Sequence, residues 1–261
     1  PTFSPDGTKI AYAKGNNLFI YDIVSRNTSQ ITTDGKKNAI INGITDWVYE
    51  EEFAFVRAFD WSADSKKLAF IRFDESQVPE FSMNIFQKDL YPSVETFKYP
   101  KAGEKNAEVS LHIYNVRSNA SKQINLGNYS DFYIARMKWT NDANILSAQV
   151  LNRHQDNLDL IFVDGNSGVA KVVLNEKDKA YVDVTDNLTF LQDNSFIWTS
   201  EKDGFNHIYL YDKTGKLKNQ ITKGNWEVTS YYGFDEKTKT IFYQSVENGS
   251  ILRDVYKISL D

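Results

Sequence analysis

The sequence predicts an all-β protein of the β-propeller class, and three observations carry that prediction. The first is a recurring opening: an aromatic residue, a short polar turn, then an alternating strand. It stands at Phe3-Ser4-Pro5-Asp6-Gly7, Trp61-Ser62-Ala63-Asp64-Ser65, Trp139-Thr140-Asn141-Asp142 and Phe190-Leu191-Gln192-Asp193-Asn194, with a degenerate copy from Phe234. The second is period-2 alternation bounded by Asp, Gly and Asn, the pattern of a β-strand. The third is spacing. Units of about 40 to 50 residues, each with several strands, are the signature of propeller blades. About five such units fit, so the chain reads as a partial propeller of about five four-stranded antiparallel blades.

In order, the first unit holds strands near residues 9–12, 17–22 and 29–32, and the second near 67–70, 111–115 and 122–124. The third is built on 145–146 and 158–164, the fourth on 196–198, 207–212 and 219–222, and the last on 241–244 and 255–258. Two segments leave the repeat. Residues 41–55 contain Asp46-Trp47-Val48-Tyr49-Glu50-Glu51-Glu52-Phe53 and form a short helical segment, with Trp47, Val48 and Phe53 along one face and the glutamates turned away. Residues 74–109 interrupt the second unit with Pro79, Pro92, Pro100 and the aromatics Phe81, Phe86, Tyr91, Phe97 and Tyr99. An insertion of that length inside a blade carries function more often than not. Its aromatic content is too high for a disordered linker.

Composition narrows the function. The 261 residues carry a net charge of −5, 41% apolar residues and no cysteine. No basic stripe is present to neutralise phosphates, which argues against nucleic acid. Disulfides and thiolate metal sites are excluded. No apolar run approaches the roughly 20 residues that span a bilayer, and no signal peptide is visible. The opening residues read as the middle of a repeat. His112, His154 and His207 lie in or beside strands and are too dispersed for a zinc motif. No Gly-x-Ser-x-Gly elbow occurs; the nearest string, Asp164-Gly165-Asn166-Ser167-Gly168, reads as a turn between strands. No catalytic residue, metal ligand or cofactor site is therefore expected in this chain.

The acidic triplet has two readings from its residues alone. It is either a solvated surface run or a cup for a cation, since adjacent carboxylates repel unless something positive pairs with them. The string Asp46-Trp47-Val48-Tyr49-Glu50-Glu51-Glu52 resembles the double-glutamate motif of the dipeptidyl peptidase IV family of serine exopeptidases. Gln77-Val78-Pro79-Glu80-Phe81, Tyr99-Pro100-Lys101-Ala102-Gly103-Glu104-Lys105-Asn106 and Ile221-Thr222-Lys223-Gly224-Asn225-Trp226-Glu227-Val228 match the same family in order and rough spacing.

The resemblance implies that residues 1–261 are the propeller part of an eight-bladed domain, with a C-terminal α/β-hydrolase domain outside this chain. It implies that Glu51 and Glu52 bind the free N-terminal amine of peptide substrates, with Glu50 the odd one out. The parent enzyme would gate access to peptides and release X-Pro or X-Ala dipeptides, while this chain alone would be inactive. The 74–109 arm would join two subunits in a homodimer. A bacterial parent would sit in the periplasm or at the cell surface. The family's mammalian members place a Phe-Arg pair in a substrate-facing loop, and the comparable Tyr181-Val182-Asp183-Val184-Thr185 lacks it. An upstream arginine that the family uses would lie before Pro1. Two other readings stay open: a non-catalytic propeller that holds a protein partner, and a tripeptide-releasing relative.

The chemistry of the implied pair is simple. A peptide's α-amine has a pKa near 7.7–8.0, so at neutral pH it is largely an ammonium with three donors. Consecutive Cα atoms lie 3.8 Å apart, and on a helix their side chains diverge by about 100°. Two neighbouring carboxylates can bend towards one ammonium, and a third in the run must point elsewhere.

Overall fold

Each unit folds as one antiparallel sheet in the computed structural model, which describes residues 1–260. The first sheet runs β1 (Thr2–Phe3), β2 (Lys9–Lys14), β3 (Asn17–Asp22) and β4 (Thr28–Gln30) in that spatial order. The second holds β5 (Ile40–Asn42), β6 (Phe59–Trp61) and β7 (Lys67–Asp74), then β10 (Glu108–Asn115) and β11 (Ala120–Gln123). Between β7 and β10 stands a separate hairpin of β8 (Glu80–Ile85) and β9 (Ser93–Lys98). The third sheet is β12 (Phe132–Trp139), β13 (Ile145–Asn152), β14 (Asn157–Asp164) and β15 (Ala170–Lys177). The fourth is β16 (Thr189–Phe190), β17 (Phe196–Ser200), β18 (His207–Tyr211) and β19 (Leu217–Gln220). The fifth has three strands among the described residues: β20 (Val228–Asp235), β21 (Thr240–Ser245) and β22 (Asp254–Ser259).

The signature residues have specific work. In each polar turn an Asp side chain accepts the backbone N–H two residues on, an Asx turn. Asp6 does so from Thr8 at 3.0 Å, Asp64 from Lys66 at 3.2 Å, Asp142 from Asn144 at 2.9 Å and Asp193 from Ser195 at 2.9 Å. Hydrogen bonds from the Ser4 hydroxyl and the Thr8 N–H hold the Asp6 carboxyl down at about 2. Two of the aromatics that open a unit, Trp61 and Trp139, tie neighbouring sheets together. Trp61 Nε1 donates to the Thr2 carbonyl at 3.3 Å, and Trp139 Nε1 donates to the Asp60 carbonyl at 3.0 Å. Lys138 reaches the Leu188 carbonyl at 3.2 Å, and Asn141 reaches that of Leu191 at 2.9 Å. The first strands of successive sheets therefore lie side by side, which is the radial convergence of propeller blades. Trp139→Phe deletes one such tie and leaves a carbonyl without its partner. It is expected to cost about 1–3 kcal/mol, read as a lowered thermal midpoint.

Burial exceeds what alternation implies. Strands β17 and β18 are buried at every position, and β13 at all but its ends. A blade between two neighbours has no solvated face, so polar residues on those strands must find partners inside. His207 illustrates this: its ring nitrogens meet Thr222 Oγ1 and the Gly224 carbonyl, each at 3.1 Å. His112 stacks on Phe70, and burial pushes it down to about 4. Both are sheet residues, and His154 is exposed on a turn.

The second sheet departs from the pattern in an informative way. Strands β5 and β6 both pair with β7 along the same edge, Ile41 opposite Phe73 and Asp60 opposite Ala69. They are two halves of one first strand, split by the segment that carries the glutamates. The sequence places that segment between the first two units; the structure places it inside a strand at the converging edge.

Candidate functional site

The excursion between β5 and β6 is closed at its base. Gly43 turns the chain out with φ +73°, and a Cβ there would lie 2.7 Å from Leu18. The Thr45 N–H donates to the Val56 carbonyl at 3.1 Å, its hydroxyl donates to the Phe55 carbonyl at 3.0 Å, and Ile44 bridges Arg57. Asp46 then caps helix α1 (Trp47–Glu51), accepting the Tyr49 N–H at 3.1 Å. An acidic cap satisfies a helix-start donor that would otherwise be orphaned. The helix stops at Glu52, and Ala54 at φ +56° reverses the chain.

What holds the helix down differs in part from the expected face. Val48 and Phe53 are buried as expected, but Trp47 is only half-buried and packs on Tyr99 of the arm at 4.2 Å. Tyr49 takes the central place at 1% exposure, its ring within 5.1 Å of Phe53 and 4.8 Å of Phe73. Its hydroxyl accepts the Ile134 N–H at 2.9 Å. Strand β12 is irregular between Ile134 and Arg136, and the tyrosine uses a donor beside that bulge. One hydrogen bond thereby ties the short helix to the third sheet.

With that face buried, Glu50, Glu51 and Glu52 are all exposed. Among the described residues none of the three has a cationic partner within ion-pair distance. Glu52 lines a cleft of about 740 Å³ bounded by Trp47 and Phe53, by Tyr99 and Lys101 from the arm, and by Tyr133 and Arg153 from the third sheet. The Tyr181 loop borders the same region. Val182 N–H donates to the Gln155 carbonyl at 2.8 Å. The Tyr181 hydroxyl is pushed up by burial, then by the charges of Asp183 and Glu52. Glu52 and the 181–185 stretch, far apart in sequence, are thus brought together.

Behind the helix lie two buried carboxyls that sequence reasoning passed over. Desolvation pushes Asp46 up to about 6, opposed by its bond from the Tyr49 N–H. Desolvation also pushes Glu75, at the root of the arm, up to about 7; the Asp46 charge adds to this and Lys98 opposes it. A carboxyl whose folded pKa is raised stabilises the fold while protonated, and that stability is lost as pH rises through its folded pKa. Stability from this pair is therefore fully present below about pH 4 and lost between about pH 4 and 7. Denaturant titrations across that range should show Glu75→Gln gaining on the parent protein as pH rises.

The arm consists of β8 paired with β9, and its root is tied down by Asn38 Nδ2 donating to the Thr96 carbonyl at 3.1 Å. Phe81, Phe97 and Tyr99 cluster there, with centroids 5.6 to 6.4 Å apart. The tip does not fold back: Phe86, Leu90 and Tyr91 are 80%, 89% and 80% exposed. The string from Asp164 to Gly168 is the turn between β14 and β15, its Ser167 hydroxyl donating to Asp164 at 3.0 Å. Tyr99, Tyr133 and Arg153 were not singled out as cleft residues from sequence. Only Tyr99 had a usable signal, its place in the Tyr-Pro-Lys-Ala-Gly string.

The sequence pattern described as "Dipeptidyl peptidase IV (DPP IV) N-terminal region" matches residues 1–261. Dipeptidyl aminopeptidase B of Saccharomyces cerevisiae is 30% identical over 99% of this chain and 34% of its own length. Dipeptidyl peptidase 4 of Trichophyton equinum is 31% identical over 99% of this chain and 35% of its own length. The crystal structure of Porphyromonas gingivalis dipeptidyl peptidase 4 superposes with a TM-score of 0.96 at 47% identity, covering 100% of this chain and 37% of that one. The chain thus spans about a third of the length of the curated relatives it matches.

Proposed function

This chain belongs to the dipeptidyl peptidase IV N-terminal-region family, and from that premise we propose that Glu51 and Glu52 hold the ammonium of a peptide's free N-terminus. The parent protein would be a serine dipeptidyl peptidase whose α/β-hydrolase domain lies outside these residues. The observation that carries the reading is a pair of adjacent, solvent-facing carboxylates, without ion-pair partners among the described residues, on a segment locked by Tyr49, with Glu52 lining a cleft. Both carboxylates would accept charge-assisted hydrogen bonds from one ammonium.

An amine fixed at one point acts as a ruler. Only the peptide bond a set distance away can meet a nucleophile, so dipeptide release follows from geometry and rate is gained by positioning. Helix α1 supplies the rigidity, since its buried face cannot shift without breaking the Tyr49–Ile134 bond. The arm has a separate role in this reading. Its exposed tip at Phe86, Leu90 and Tyr91 is apolar surface that a second subunit would cover.

The reading is tested by the charge of the ligand. For the intact enzyme and a Gly-Pro substrate, kcat/KM should fall roughly tenfold between pH 7 and pH 9 as the substrate amine loses its proton. N-acetylated Gly-Pro should not be turned over. A flat profile, or turnover of the acetylated compound, contradicts the assignment.

A further inference from the structure

We infer that the cleft beside Glu52 receives the side chain of the substrate's N-terminal residue, and that Lys101 and Arg153 make it favour aromatic or acidic side chains over lysine or arginine. The inference deepens the amine reading of Glu51 and Glu52 and rests on it.

The argument starts from covalent geometry. A substrate's Cβ is two bonds from its α-nitrogen, so a pair that fixes the ammonium also fixes where the side chain begins. That side chain must enter space next to the pair, and the cleft is the described cavity that Glu52 itself lines. At about 740 Å³ the cleft is far larger than any one side chain, so it does not select by exclusion. Selection falls to the chemistry of the walls. One wall is aromatic, Trp47 packed on Tyr99 with Tyr133 facing from the third sheet. Flat apolar walls of this kind suit another ring.

The charges decide the rest. The ionised residues lining the cleft are Glu52, Lys101 and Arg153. Lys101 is exposed and has no carboxylate within ion-pair distance among the described residues, although its backbone N–H bonds Glu104 Oε2 at 3.1 Å. Arg153 is held in place by donating Nη2 to the Glu104 carbonyl at 2.8 Å, and its nearest carboxylate, Asp131, is 3.8 Å away and largely exposed. Asn106 donates to the Tyr133 hydroxyl at 2.7 Å, which leaves that hydroxyl's own proton free for a ligand oxygen. A substrate ammonium shared by Glu51 and Glu52 offsets one of their two charges; set against the other, Lys101 and Arg153 leave one positive charge in excess. A carboxylate side chain is then drawn in and an ammonium or guanidinium is repelled.

The test uses the full-length enzyme and X-Pro-4-nitroanilides in which X is Gly, Tyr, Glu or Lys. The parent enzyme should turn over Tyr-Pro and Glu-Pro with higher kcat/KM than Lys-Pro. Lys101→Glu should shift the Glu-Pro to Lys-Pro ratio towards lysine by about three- to tenfold, the scale of an exposed charge reversal. Arg153→Met should shift it in the same direction. Lys237→Glu, on a turn between β20 and β21, serves as the control for net charge and should leave the ratio at its parent value. A ratio unchanged in both Lys101→Glu and Arg153→Met overturns the inference. If Glu51→Gln and Glu52→Gln abolish Gly-Pro turnover while the ratio stays fixed, the amine reading stands and the subsite alone is wrong. If those two variants keep Gly-Pro turnover, both fall.

Discussion

Replacing Glu51 and Glu52 together by glutamine in the intact enzyme is expected to lower kcat/KM by about 10²- to 10⁴-fold, because a hydrogen bond to a charged group contributes roughly 1.5–3 kcal/mol and two are lost. Each single variant should lose a share of that, with Glu50→Gln close to the parent. The loss should appear without unfolding. All three side chains are exposed and make no ion pair among the described residues, so their replacement should stay within about 0.5 kcal/mol of parent stability. Steady-state kinetics alongside a denaturant curve separates the two effects. A double variant that turns over Gly-Pro normally refutes the role of the pair.

Tyr49 should show the largest effect on stability. Tyr49→Ala removes a fully buried ring from among Phe53, Phe55, Phe73 and Tyr133, a change expected to cost about 3–5 kcal/mol. Tyr49→Phe is the sharper probe, since it keeps the ring and removes only the acceptor for the Ile134 N–H. A buried donor left unpaired costs about 1–3 kcal/mol. That bond also fixes α1 to the third sheet, so Tyr49→Phe should raise KM for free-amine substrates beyond what its stability loss explains. Parent-like stability and KM in Tyr49→Phe would show that the hydroxyl neither ties nor positions the helix.

Much of the fold was legible because the propeller repeats its local chemistry. The aromatic opening, the Asp of the Asx turn and the alternating strands each recur, and Trp61 and Trp139 turn out to make the same kind of bond to the preceding sheet. The acidic pair was legible for another reason: three consecutive glutamates behind Trp47 and Tyr49 are unusual in a strand-rich chain. Pairings across long separations were not legible. Nothing local marks Tyr49 as the partner of Ile134, 85 residues on, or Arg153 as a neighbour of Glu52. Trp47 and Tyr49 are both large and aromatic, and which one turns inward depends on the bulge in β12 and on the arm's Tyr99. The split first strand of the second sheet was missed because β5 and β6 have only three residues each, too few to show a period.

The central claim concerns one nitrogen atom and two carboxylates. A crystal structure of the intact protein with an X-Pro dipeptide bound would place that nitrogen directly. The account predicts hydrogen bonds from the dipeptide's α-ammonium to both Glu51 and Glu52. A bound dipeptide whose ammonium bonds to other groups, with those two side chains in open solvent, would contradict it.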